Sequence, residues 1–118
     1  MSQAVRWDLD GDRLVEVLAA LASPHRLRVL AALTGGRVYV SQLARDLGIS
    51  RALLQVHLKK LEKAGLVTAH LELSEDGKAL KFYEATPFTL HLTPEMVARA
   101  VTTLSSANDG DALPKGSS

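Results

Sequence analysis

Two short helical patterns separated by a glycine constrain the fold more than any other feature of this sequence. They occupy residues 40–67, which read VSQLARDLGISRALLQVHLKKLEKAGLV. Ser41 can accept hydrogen bonds from the free backbone amides of the first helix, and Ser50 can do the same for the second. Gly48 between them permits a left-handed turn. The arrangement predicts a helix-turn-helix.

The second of these helices has one apolar and one polar side. Leu54, Leu58 and Leu61 recur at spacings of four and three, so they form a buried stripe, and the polar side is left free to enter the major groove of DNA. Gln55 can pair with adenine through two hydrogen bonds, which favours an A·T-containing half-site. The side chains that we expect to contact DNA are Ser41, Gln42, Ser50, Arg51, Gln55, Val56, Lys59, Lys60 and, in the following hairpin, Lys78.

A β-hairpin is predicted directly after the second helix. Residues 66–73 alternate between apolar and mostly polar types, the sequence SEDG at 74–77 is typical of a turn, and residues 79–85 resume the alternation. A helix-turn-helix followed by a hairpin is a winged helix. Glu75 and Asp76 make the predicted wing tip acidic, so we expect it to bind phosphate poorly.

The sequence resembles the ArsR/SmtB family of small dimeric bacterial repressors. The resemblance lies in LASPHRLRVL at residues 21–30, in the helix-turn-helix, and in HLKKLEKAGLV at residues 57–67, and it extends from about Leu14 to Leu104. It implies a mainly α fold of five helices plus a small β-hairpin wing. It also implies a homodimeric, cytoplasmic repressor that binds a palindromic DNA operator.

The chain divides into an N-terminal arm (1–11), a DNA-binding and dimerisation domain (12–104) and a flexible tail (105–118) by its composition. Asp12 is expected to cap the first helix, and Ser23 with Pro24 to begin the second. The first and last helices each carry an apolar face that can pack against a second subunit. The residues assigned to this contact are Leu14, Leu18, Met96, Val97, Ala100, Val101 and Leu104.

Charge and composition narrow the function further. The formal net charge is only +1, but the segment from Ser41 to Lys63 holds five basic residues against two acidic ones, which favours attraction to phosphate. The absence of cysteine excludes disulfides and thiolate metal sites. No apolar run is long enough to cross a bilayer, and no arrangement of nucleophile, base and glycine-rich loop indicates an enzyme.

A metal effector is the main alternative, because the family that the sequence resembles includes metal sensors. Tyr39 and Ser41 stand where the family's thiolate ligands would be, and the last helix contains no histidine. His91, Glu95 and His70 are then the only candidates for a weak nickel or zinc site, and no cofactor is required. A winged helix used as a protein-interaction module is the second alternative, favoured by the acidic wing tip. We expect His57, Trp7 and Tyr83 to be packing residues.

Overall fold

The computed structural model describes residues 5–6 and 10–105, with side chains from residue 10 onward. Trp7 and the predicted tail, apart from Ser105, therefore lie outside the described residues. The helices are α1 (Gly11–Leu21), α2 (Pro24–Ala32), α3 (Val40–Leu47), α4 (Arg51–Lys63) and α5 (Pro94–Val101). The strands are β1 (Val5–Arg6), β2 (Val38–Tyr39), β3 (Val67–Leu73), β4 (Ala79–Ala85) and β5 (Phe88–Thr89). The predicted fold of five helices and a hairpin wing is confirmed.

The wing is a three-stranded antiparallel sheet in the order β2-β4-β3. The β3–β4 hairpin runs in register from Val67 opposite Ala85 to Leu73 opposite Ala79. The connector before α3 forms β2, which pairs with the middle of β4 and so ties the helix-turn-helix to the wing. A second, parallel pair joins β1 to β5, which places part of the predicted arm against the segment that precedes α5.

Residues 10–105 build a hydrophobic core between α2, α3, α4 and the base of the wing. Tyr83 of β4 is buried there with aliphatic side chains from each helix, as predicted for a packing aromatic. The three leucines of the α4 stripe are fully buried, which confirms the predicted helix face. The other core residues include Val29, Leu33, Val40, Leu43, Leu66 and Val67.

The predicted helix starts are partly confirmed. Ser23 and Ser50 accept hydrogen bonds from the backbone amides of Arg26 and Leu53, at 3.3 Å and 3.0 Å, so both serines cap their helices. The prediction for Asp12 was wrong, because Asp10 caps α1 by accepting from Arg13 N at 2.8 Å. The prediction that Ser41 caps α3 was also wrong. Helix α3 begins at Val40, directly after the paired strand β2, so Ser41 already lies inside the first turn.

α1 and α5 pack against each other within the chain. The amide of Gly11 donates a hydrogen bond to Thr103 Oγ1 at 2.7 Å, and the amide of Ser105 donates to Asp12 Oδ1 at 2.9 Å. A Cβ atom at Gly11 would lie 2.3 Å from the carbonyl oxygen of Ala100, so the close approach of the two helices requires glycine there.

Candidate nucleic-acid interface

The surface of α4 opposite its buried stripe is the centre of the candidate site. Ala52, Val56, Lys59 and Lys63 follow one another at spacings of four, three and four along this surface, and all four are exposed. The helix contains four basic residues and one acidic residue, Glu62. A helix with this exposed face can enter a major groove while its leucine stripe stays anchored in the core.

The other predicted DNA contacts on α4 differ in how far they are exposed. Arg51, Lys59 and Lys60 are exposed, whereas Gln55 is half-buried on the flank of the exposed face. Val56 is 52% exposed at the centre of that face. The Oγ atom of Ser50 is already engaged as the cap of α4, so this residue holds the start of the helix in place.

On α3, Ser41 and Gln42 are both exposed, but Gln42 is held by its neighbours. Its side-chain amide donates to Asp46 Oδ1 and accepts from Arg45 Nη2, both at 2.7 Å. Gln42 must release at least one of these partners before it can bond to DNA with the same atoms.

The wing turn is held by its own side chains. Ser74 Oγ donates a short hydrogen bond to Asp76, and the amide of Lys78 donates to Ser74 Oγ at 3.0 Å. The hydrogen bond from Ser74, followed by one from the Lys78 backbone, lowers the pKa of Asp76. The tip therefore keeps its negative charge, while the exposed Lys78 beside it is a cation that can reach a phosphate.

The base of the wing carries an aromatic and charged cluster that sequence analysis did not find. The ring of Phe82 lies 4.1 Å from the guanidinium of Arg37 and is stacked with His70, with ring centroids 5.3 Å apart. Arg37 also pairs with Glu72 at 3.3 Å, and His70 pairs with Glu84 at 3.0 Å. The hairpin register places His70 opposite Phe82. Arg37 directly precedes β2 and reaches the cluster because β2 pairs with β4, and no local sequence pattern indicates that pairing.

His57 is buried in α4, as predicted for a packing residue, and it is linked to α2. Its Nδ1 atom lies 3.3 Å from Arg26 Nη1, and the same arginine donates to the carbonyl oxygens of Ala20 and Ala19 at 2.7 Å and 3.2 Å. Because arginine can only donate, Nδ1 of His57 accepts and its proton resides on Nε2. That Nε2 atom is buried and has no hydrogen-bond partner in the described structure.

Burial lowers the pKa of His57, and the nearby charges of Arg26, His25 and Lys60 lower it further. The imidazole is therefore neutral at pH 7. Sequence reasoning missed the role of Arg26, because this residue is 31 positions from His57 and no periodicity connects them.

Residues 21–70 match a helix-turn-helix domain family. The chain is 33% identical over 86 residues to an uncharacterized HTH-type transcriptional regulator from Methanocaldococcus jannaschii. That match covers 73% of this chain and 90% of the relative. This chain belongs to the helix-turn-helix transcriptional regulators. A second relative, the HTH-type transcriptional regulator CmtR from Mycobacterium tuberculosis, is 47% identical over 53 residues, which is 45% of each chain.

Solved structures show that this regulator has the winged form of the fold. HlyU from Vibrio cholerae superposes with a TM-score of 0.54 at 25% identity, over 77% of this chain and 84% of HlyU. A winged helix-turn-helix DNA-binding domain from Mycobacterium bovis, described as homodimeric and possibly of the ArsR family, gives a TM-score of 0.57 at 24% identity. The superposition covers 91% of this chain and 88% of that domain. The winged fold that the resemblance to the ArsR/SmtB regulators implied is thereby confirmed.

The residues assigned to dimerisation fall into two groups in the regulator. Leu14 and Ala100 are buried within the chain, and Met96 is half-buried. Leu18, Val97, Val101 and Leu104 are exposed, at 38%, 40%, 54% and 39%. Since α1 and α5 pack together, their exposed apolar residues can form one continuous surface.

The metal candidates of the regulator are dispersed. His70 pairs with Glu84 in the wing, whereas His91 and Glu95 are exposed between β5 and the first turn of α5. Across residues 10–105, no three His, Asp or Glu side chains are grouped as a metal site would require. The weak nickel or zinc site stays a prediction. None of the described helices is long and apolar enough to span a bilayer.

Proposed function

We propose that this transcriptional regulator binds a palindromic operator as a cytoplasmic homodimer, and that its binding represses transcription. One α4 helix would occupy the major groove of each half-site, with the half-sites about one turn of DNA apart, roughly 34 to 36 Å. The exposed face of α4 supports this most directly, because it is basic and lies opposite a fully buried stripe.

Within that interface, Gln55 and Val56 are proposed as base readers and the lysines as phosphate contacts. Gln55 can form two hydrogen bonds to adenine, and Val56 can contact a thymine methyl group. Lys59 and Lys60 are exposed, and no ion pair holds either of them in the described part of the chain. Arg51 lies in the first turn, where a recognition helix approaches the bases most closely.

Selection of bound sequences from random duplex DNA tests the proposal, with parallel selections in the presence of nickel and of zinc. We expect one palindromic, A·T-containing sequence in all selections. Recovery of no preferred sequence would contradict the proposal. A sequence enriched only with one metal would support the metal-responsive alternative instead.

Two alanine variants then separate base reading from phosphate binding. Gln55→Ala is expected to cost roughly 1 to 3 kcal/mol on the selected operator and little on random DNA. Lys59→Ala should weaken binding to both DNAs alike and reduce the salt dependence. Equal losses on both DNAs for Gln55→Ala would show that this side chain supports the helix and does not read a base.

A protein-interaction role for the wing is the second candidate, and the exposure of its leucines favours it. Leu71 and Leu73 of β3 are 70% and 77% exposed, next to the acidic turn. If this role is the main one, selection from random DNA will recover no operator. A Leu71→Ser, Leu73→Ser double variant will then keep its fold but lose the regulatory effect that the wild-type protein has in cells.

A further inference from the structure

A second basic surface lies beside the turn of the helix-turn-helix, outside the exposed face of α4. His25 and Arg28 of α2 line a recess of about 200 Å³ together with Leu47 and Ile49, which flank Gly48. Both basic side chains are exposed. Helix α2 contains no carboxylate, and Arg28 forms no hydrogen bond or ion pair with any residue that the structure describes.

The recess is fixed relative to α4. The ring of His25 is stacked on His57 of α4, with centroids 5.3 Å apart and planes inclined by 28°. The next residue, Arg26, bonds to the end of α1 and to His57. Because α2 packs on both α3 and α4, the backbone of Arg28 has a fixed position relative to the α4 residues that are proposed to face the groove.

We propose that this recess is a binding site for a phosphodiester group of the DNA backbone. The inference rests on the proposed binding of α4 in the major groove. That groove is about 12 Å wide, and a helix with its side chains is about 10 to 12 Å across. The phosphates on each side of the groove therefore border the flanks of an inserted helix.

The position of the turn indicates which flank of α4 lies beside the phosphate strand that the recess would contact. A recognition helix presents its N-terminal residues to the bases, so the turn at Gly48 lies close to the DNA and the recess beside it faces a phosphate strand. The guanidinium of Arg28 can bond to two phosphate oxygens, and the ring N–H of His25 can supply a further donor. Such contacts fix the register of the protein on the duplex and carry no sequence information.

The test measures the salt dependence of binding for Arg28→Gln on the selected operator and on random duplex, from 50 to 200 mM salt. Loss of one phosphate contact in each subunit should reduce the slope of log affinity against log salt by about 1.8. The affinity advantage of the wild type over the variant should then shrink roughly tenfold over this range. The change should be the same on both DNAs. Arg28→Lys, which keeps the charge, should restore most of the slope.

Arg99→Gln is the matched control, because it removes the same charge from an exposed position on α5, which packs on α1. It should leave the slope unchanged. An unchanged slope for Arg28→Gln would overturn the proposal, and so would a loss confined to the operator. If Lys59→Ala lowers the slope while Arg28→Gln does not, only the recess site fails. If the wild type prefers no sequence at all, the proposed function fails instead.

Discussion

The guanidinium of Arg26 in α2 donates a hydrogen bond to Nδ1 of His57 in α4 across 3.3 Å. This contact joins the end of α1, the start of α2 and the middle of α4. It also requires that His57 be neutral, since a protonated ring would have no acceptor at Nδ1 and would place a cation beside Arg26. The position of α4 is therefore coupled to the protonation of one buried side chain.

Stability should fall as the pH drops below about 6.5, the value at which an unperturbed histidine titrates. The folded chain lowers the pKa of His57, so the unfolded chain binds more protons in this range and is favoured. Above that pH the contribution is constant. Replacement His57→Leu should flatten this part of the pH profile. Urea unfolding at pH values from 5 to 8 measures the free energy of unfolding of both proteins. If that free energy depends on pH equally in the wild type and in His57→Leu, the prediction is contradicted.

Substitution Gly11→Ala should destabilise the fold by roughly 1 to 3 kcal/mol, because overpacking forces the backbones apart. The new Cβ atom would meet the carbonyl oxygen of Ala100 at 2.3 Å and Leu104 Cγ at 2.7 Å. Gly35→Ala is the control, since nothing lies within 4 Å of the Cβ atom it would add. Thermal or urea unfolding of both variants provides the measurement. Similar unfolding free energies for the two variants would show that α5 can shift away from α1 without loss of stability.

The two serines of the helix-turn-helix should respond differently to alanine. Ser50→Ala removes the cap of α4 and should cost about 1 kcal/mol of unfolding free energy. Ser41→Ala should change it by less than about 0.5 kcal/mol, because Ser41 is exposed and caps no helix. Unfolding in urea compares them under the same conditions. A larger loss for Ser41→Ala would indicate a contact that the static structure lacks.

The dimer should dissociate when Val97 and Val101 are both replaced by glutamate. The substitutions place charges on the exposed apolar surface of α5, and a monomer offers only one α4 helix to a two-part operator. Sedimentation at micromolar concentration should show monomers, and operator binding should be lost. Leu71→Glu, which adds a charge to the wing, should leave the dimer intact. A wild-type protein that sediments as a monomer would contradict the homodimer.

Nickel or zinc should bind weakly, on the order of micromolar dissociation constants or poorer, because too few ligands converge to close a tetrahedral site. His91 is the expected ligand, with Glu95 or His70 contributed across the dimer. Calorimetric titration of metal-free protein and of His91→Ala decides this. A submicromolar site that survives the substitution would place the ligands elsewhere in the chain.

Local signals in the sequence were sufficient to predict the fold and the exposed face of α4, which is the centre of the candidate site. The leucine spacing of α4, the left-handed Gly48 and the turn at residues 74–77 each depend on neighbours within a few positions, and the structure has each of them as predicted. The caps at Ser23 and Ser50 are equally local. Periodicity also assigned the exposed side of α4 correctly, because a helix with one buried stripe has only one opposite face.

Only the tertiary structure decided the features that join distant segments. Because β2 pairs with β4, α3 starts at Val40 and Ser41 is not its cap. Because Gly11 packs against Ala100, part of the surface assigned to the dimer is buried within the chain. The contact between Arg26 and His57 and the recess lined by Arg28 arise in the same way. Their energies depend on burial and on distances between side chains far apart in sequence, and local periodicity contains neither quantity.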